Sequence, residues 1–234
     1  MSKSNAFETS HLQHVFQNAA IANIGDASGL QPSSADGSLF VALHTAWPGE
    51  TGDQSTNEAA YTSYARVGVS RNGATGWTVS GNNVSNTALV QFPTATGGSE
   101  TEFFASIGVA SSGATVILYI VKMGTRLGTG VVDANGVTNN DFSLPSHGLV
   151  ADDRVAFFTR DGEALPTGIT EGQVYWVIST GLATDTFRFS ATQAGAAIDI
   201  TAVGQAHVFQ MVGLAVSNGI RPEFSAGDLD VFEN

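Results

Sequence analysis

The chain has no cysteine. Disulfide cross-links and thiolate-bound metals are therefore excluded, and stability has to come from burial and hydrogen bonding. Charge is scarce as well, at 13% of residues, about half the usual share. Basic residues are the scarcest of all: 9 stand against 21 acidic ones, for a net charge of −12. A surface of that sign repels nucleic-acid phosphate and anionic lipid. The nearest approaches to a basic cluster are Arg66 with Arg71 and Lys122 with Arg126, so neither nucleic acid nor membrane is expected as a partner. Long apolar runs are missing too. The longest, residues 114–123, falls well short of the roughly 20 that cross a bilayer. The opening MSKSNAFETSHLQ lacks the apolar core of a secretory signal. Together these absences predict a soluble protein made in the cytoplasm, with no encoded export route.

What is present points to β structure. Apolar residues make up 42% of the 234 positions, with 27 glycines and 6 prolines. That composition suits many short strands joined by turns, and the length suits one large β domain or two small ones. One helix is predicted, over about residues 6–20. Asn5 and Glu8 have capping-box spacing, and Leu12, Val15, Phe16 and Ala19 share a face. Residues 39–54, LFVALHTAWPGETGDQ, run from an apolar strand into an acidic turn. Residues 64–70 alternate. Residues 77–80 and 84–92 flank Gly81-Asn82-Asn83 as a hairpin, and the second of these strands keeps period two with Asn86 as its single polar break.

Residues 103–110 and 115–123 form a second predicted hairpin around Ser111-Ser112-Gly113. The latter strand is apolar on both faces, with Val116, Leu118 and Ile120 against Ile117, Tyr119 and Val121. That pattern fits the central strand of a sandwich, or else a strand at an interface. Residues 124–140 are rich in glycine and asparagine and read as a boundary. Short strands then follow at 154–159, 174–179, 186–190, 197–201 and 206–211, which suggests a small barrel or sandwich. The predicted fold class is mainly β: a β-sandwich or barrel-like base domain with a short N-terminal helix, and a second small β domain inserted near the C-terminus.

No pattern of residues specifies a chemistry. His11 and His14 are close enough on a helix to share a metal, but no third ligand stands at a recognisable spacing. His44 ends a strand, where packing or a hydrogen bond is the expected role. Asp133, Asn135, Asn139 and Asp141 suggest a calcium loop, yet Gly136 falls at the fourth position and Leu144 at the twelfth, against the sixth and the twelfth acid of an EF-hand. Gly124, Gly128 and Gly130 fit neither a phosphate loop nor a dinucleotide fingerprint. With 21 acids a glycosidase-like pair is always available by chance. No catalytic, metal or cofactor-binding residue is assigned, and no enzyme activity is expected.

Several pieces do carry a resemblance. Asn5-Ala6-Phe7-Glu8, Val41-Ala42-Leu43-His44-Thr45 with Pro48-Gly49-Glu50, Tyr64-Ala65-Arg66-Val67, Ser85-Asn86-Thr87-Ala88 with Phe92-Pro93, and Ile107-Gly108-Val109 resemble a family of small tailed-bacteriophage virion proteins. Its members are often labelled tail fibre, minor tail or head decoration protein. Ser217-Asn218-Gly219, Arg221-Pro222 and residues 224–231 fit the end of the same family.

About 85 residues interrupt that pattern, with Ser146-His147-Gly148-Leu149, Leu165-Pro166-Thr167-Gly168-Ile169, Tyr175-Trp176-Val177-Ile178 and Thr186-Phe187-Arg188-Phe189-Ser190. They resemble a β module seen in many phage structural proteins. The resemblance implies a base, virion-attachment domain over 1–123 and 212–234, with 124–211 inserted. It also implies a capsid decoration or cement protein on the outer head surface, trimeric and bridging copies of the major capsid protein. The alternative it leaves is a fibre or host-recognition component among tail and baseplate proteins.

Overall fold

A computed structural model describes residues 3–159 and 163–233. In chain order its elements are α1 (Asn5–Gln17), β1 (Ser38–His44), β2 (Val67–Ser70), β3 (Trp77–Ser80), β4 (Asn83–Asn86), β5 (Val90–Gln91), β6 (Ser99–Glu102), β7 (Phe104–Gly108) and β8 (Ile117–Lys122). Next come β9 (Gly124–Val132), α2 (Ala134–Asn139), β10 (Phe142–Ser143), β11 (Arg154–Phe158), β12 (Val174–Ile178), β13 (Thr186–Ser190) and β14 (Gly204–Met211). Last are β15 (Leu214–Ser217), β16 (Glu223–Phe224) and β17 (Asp230–Phe232). The chain is mainly β with a short N-terminal helix. It divides into two compact units, residues 1–121 with 215–234, and residues 122–214.

The first unit spreads its strands over small sheets. The largest has the order β2-β1-β7-β8, and β17-β4-β3 forms a second. Leu39 to His44 and Val231 therefore lie in one unit but in different sheets, not in a shared sheet system. Helix α1 begins one residue earlier than its sequence spacing suggests. Ser4 is the N-cap, its side chain accepting from the Phe7 amide, while Asn5 is already helical and Glu8 is buried. The helix stops at Gln17 because Asn18 turns left-handed, with φ of 53°. Leu12 and Phe16 are fully buried, and the Phe16 ring meets Trp77 edge-on at 4.8 Å and Tyr119 at 5.3 Å.

The two ends of this unit are fastened together. Lys3 Nζ, His11 Nδ1 and the Tyr119 hydroxyl reach the Glu233 carboxylate at 2.7, 2.6 and 2.9 Å. Burial works to raise the pKa of Glu233, but these three hydrogen bonds outweigh it and hold the carboxyl below its ordinary range.

Residues 84–92 do not make one strand. Asn86, the polar break, is almost fully buried and directs its side-chain amide to the carbonyls of Ala88 and Ser225, while its oxygen accepts from the Leu229 amide. Those bonds bend the chain and separate β4 from β5, which pair with β17 and β16 respectively. The strand that is apolar on both faces, β8, is not the central strand of its sheet, the first of the two positions its pattern fitted. It lies at the edge of its sheet, where Val116 keeps 61% and Leu118 38% of its surface exposed.

The second unit is a closed barrel of order β10-β13-β12-β11-β14-β9. Residues 124–140, expected to be a boundary loop, supply its longest strand and a capped helical turn. Glycine makes that strand possible. A Cβ at Gly130 would stand 2.2 Å from Phe142 Cε1 and 2.7 Å from the Ser143 carbonyl, so only glycine lets β10 close against β9.

The predicted strand at 197–201 is absent. Its amides serve three different places: Ile198 bonds to the Phe189 carbonyl, Ile200 to Asn140 Oδ1 and Thr201 to the Thr167 carbonyl. The barrel interior is aromatic. Phe142, Phe157, Tyr175, Phe187 and Phe189 are buried together with Val155, Val177 and Val208.

Candidate functional site

The densest constellation of polar side chains grows from the stretch 39–58. β1 ends at His44, which has no accessible surface. Its Nδ1 lies 2.9 Å from the Thr56 carbonyl and its Nε2 2.8 Å from Ser106 Oγ on β7. Burial lowers the histidine pKa, so the ring is neutral near pH 7. The carbonyl then fixes the tautomer: Nδ1–H donates to Thr56 and Nε2 accepts from Ser106. Gln54, equally buried, donates from Nε2 to the Phe40 carbonyl at 2.9 Å and to Ser106 Oγ at 3.3 Å.

Arg66 continues the network. Its Nε and Nη2 grip the two Glu58 oxygens at 2.7 and 2.8 Å. Nη1 reaches Gln54 Oε1, the Ala110 carbonyl and Thr115 Oγ1, and Nη2 also reaches the Gly113 carbonyl. The hydrogen bond to Glu58 raises the guanidinium pKa further. The Tyr64 hydroxyl donates to Glu58 and accepts from the Leu43 amide, and burial pushes its phenol well up.

The Ser106–His44 pair has the hydrogen bond of a nucleophile and its base, with a carbonyl orienting the ring. Both residues are 0% exposed, however, so no substrate atom can reach them. Arg66 is likewise spent, with its donors directed to protein acceptors and none left for an anion. This constellation can do one thing well. It joins the acidic loop 45–58, the entry to β2 and the turn 110–115 into a rigid corner.

Gly108 belongs to that corner, since a Cβ there would lie 2.1 Å from Gln54 Cδ. Gln54 is held at both ends and cannot step aside. Gly108→Ala is expected to cost about 1–3 kcal/mol, as overpacking does, measured by denaturant unfolding; a loss below about 0.5 kcal/mol would show that the corner yields.

The residues weighed for chemistry in the sequence are not brought together. His11 goes to Glu233 and His14 to the Ala19 carbonyl. Asp133 caps α2 through the Gly136 amide, Asn139 bonds to Asn135, and Asp141 pairs with Arg188 at 2.6 Å. The apparent calcium loop is thus a helix cap beside an ion pair. In the barrel, His147 Nδ1 accepts from the Leu149 amide two residues on and Nε2 faces the Thr186 carbonyl. His147, Gly148 and Leu149 also line a shallow groove of about 470 Å³ with Leu182, Ala183 and Thr184. Sequence reasoning missed Gln54, Glu58 and Ser106 because nothing local marks a polar residue that a distant strand will bury.

Among the described residues the corner is sealed from solvent and the barrel interior is aromatic; the class of protein is given by its family, that of phage virion structural proteins. The family described as Podophage GP4 fiber I protein gp80 matches residues 2–126, somewhat more than half of the 234, and the chain belongs to it. No curated protein and no solved structure matches the chain.

Proposed function

We propose that the chain is a non-enzymatic fibre component of a phage tail. Residues 1–121 with 215–234 would seat it among tail or baseplate proteins, and the barrel would be carried as an additional binding module. One observation supports this most: the family match ends at residue 126, just after the barrel strand β9 begins at Gly124. The match takes in the first unit up to residue 121 but not 215–234, which supports reading the barrel as an addition to a fibre-type base. The closed Ser106–His44 pair favours a scaffold over a hydrolase.

Capsid decoration, with trimers bridging the major capsid protein, is the second reading, and the acidic balance of −12 suits either exposed position. The family's fibre description favours the tail. Immunogold labelling of intact virions, with copies per particle counted by quantitative mass spectrometry, tests the choice. Label at the tail and a few to tens of copies are expected, while label spread over the head with hundreds of copies would return the protein to the capsid. Trimerisation, carried by either reading, is checked by mass photometry.

A further inference from the structure

Strand β6 carries two carboxylates, Glu100 and Glu102, two residues apart and so on one face of the strand. Glu100 has employment: its Oε1 accepts from the amides of Ala60 and Tyr61 at 2.9 and 2.8 Å. Glu102 has none. It is 0% exposed, and neither of its oxygens meets a hydrogen-bond donor among the described residues. The polar group beside it is Glu100 itself. Tyr61, from the facing segment, is the other titratable neighbour, but its hydroxyl is turned to the Pro93 carbonyl at 3.1 Å. The strand paired with β6 is β15, whose Leu214, Ala215, Val216 and Ser217 carry no charge. Among the described residues, burial and Glu100 are what act on Glu102, with no lysine, arginine or histidine beside them.

Glu100 is only partly buried but Glu102 is wholly so, and a carboxylate shut away from water with only a second carboxylate beside it cannot stay ionised. We propose that Glu100 and Glu102 hold one proton between them, and that this proton is a pH-operated latch on β6. The proton sits on Glu102 and is donated to Glu100, whose other oxygen already binds the two amides. While it is present, β6 is joined on one side to the turn at 60–61 and on the other to β15. Once it leaves to solvent, the pair carries two charges that only water can relieve, and β6 must part from those neighbours to admit it.

Burial, then the hydrogen bond and charge of Glu100, push the Glu102 carboxyl up to about 8 from an ordinary 4.5. The folded chain therefore keeps a proton that the unfolded chain has already lost. Stability from this pair is complete below the ordinary glutamate value, declines as pH rises through the interval up to about 8, and is level above it. The device operates on the first unit whatever that unit is attached to, so it goes beyond the fibre assignment.

The test uses the whole chain with EDTA present. In glutamate carboxyl-¹³C-labelled protein, one resonance should titrate with a midpoint near 8 and be missing in Glu102→Gln. In a Trp176→Phe background, so that Trp47 and Trp77 report the first unit, the melting midpoint should fall by roughly 5–10 °C between about pH 5.5 and 8.5. Glu102→Gln, whose amide can donate to Glu100 at every pH, should lose at least half of that fall. If Glu102→Gln does not fold, the wild-type resonances decide alone. A spectrum with no glutamate titrating above about pH 6 overturns the latch. So does a midpoint that drops on adding EDTA and recovers with calcium, because a cation would then be doing the proton's work.

Discussion

Replacing Arg66 by alanine is expected to lower the stability of the first unit by about 3–5 kcal/mol, the usual cost of removing one partner from a buried ion pair. The side chain is 1% exposed and Glu58 opposite it 18%, so the carboxylate left behind is only partly rescued by water. The carbonyls of Ala110 and Gly113 lose their donor at the same time, and Gln54 Oε1 keeps only the Thr115 hydroxyl of its two donors. Denaturant unfolding measures the loss. Arg66→Lys should recover little of it, because a single ammonium cannot replace a fork that spans both Glu58 oxygens and four further acceptors. A deficit below about 1 kcal/mol for Arg66→Ala would place the network among the weak surface pairs and remove its claim to hold the corner.

Phe157→Ala in the barrel is expected to cost a similar amount, about 3–5 kcal/mol, for a different reason. Its ring lies 4.6 Å from Phe189, 4.9 Å from Phe142, 5.9 Å from Tyr175 and 6.3 Å from Phe187, centroid to centroid. Each of these neighbours is itself fixed in the closed sheet, so the vacated volume cannot collapse and both transfer and cavity terms are lost. Calorimetry should show one transition moved down by this variant and another moved by Arg66→Ala. A single transition displaced alike by both would mean that residues 122–214 do not fold as a separate cooperative unit.

The contrast between those two sites explains what a reading of the sequence could and could not reach. Strands whose pattern is local were legible: the hairpin of β3 and β4 around Gly81, and the barrel strands β11, β12 and β13 with their alternating aromatic residues. Strand β9 was not, because it is held by β14 about 80 residues later, from Gly124 with Met211 to Val132 with Gly204. Its glycines read as a loop until Phe142 is known to lie over Gly130. Asn86 was visible as a break in a period of two, but a lone polar residue does not announce that it will bind Leu229 and Ser225. The corner was least legible of all. His44, Gln54, Glu58 and Arg66 are ordinary residues at unremarkable spacings, and only the pairing of β1 with β7 places Ser106 between them. The pair Glu100 and Glu102 was hidden by numbers, two acids among 21, until burial singled them out.

The fastening at Glu233 has a topological consequence. The tips of the Lys3 and Glu233 side chains, Nζ and Oε2, stand 2.7 Å apart, so the first described residues and the last lie beside each other, and a short linker would join them into a ring. A ring has no first residue. Joining the ends and opening the chain in the exposed loop between Gly25 and Gly37 would leave β1 with β7, β4 with β17 and β5 with β16 as partners, now reached in a different order. The pairings of the first unit are thus indifferent to the order in which the chain supplies their strands.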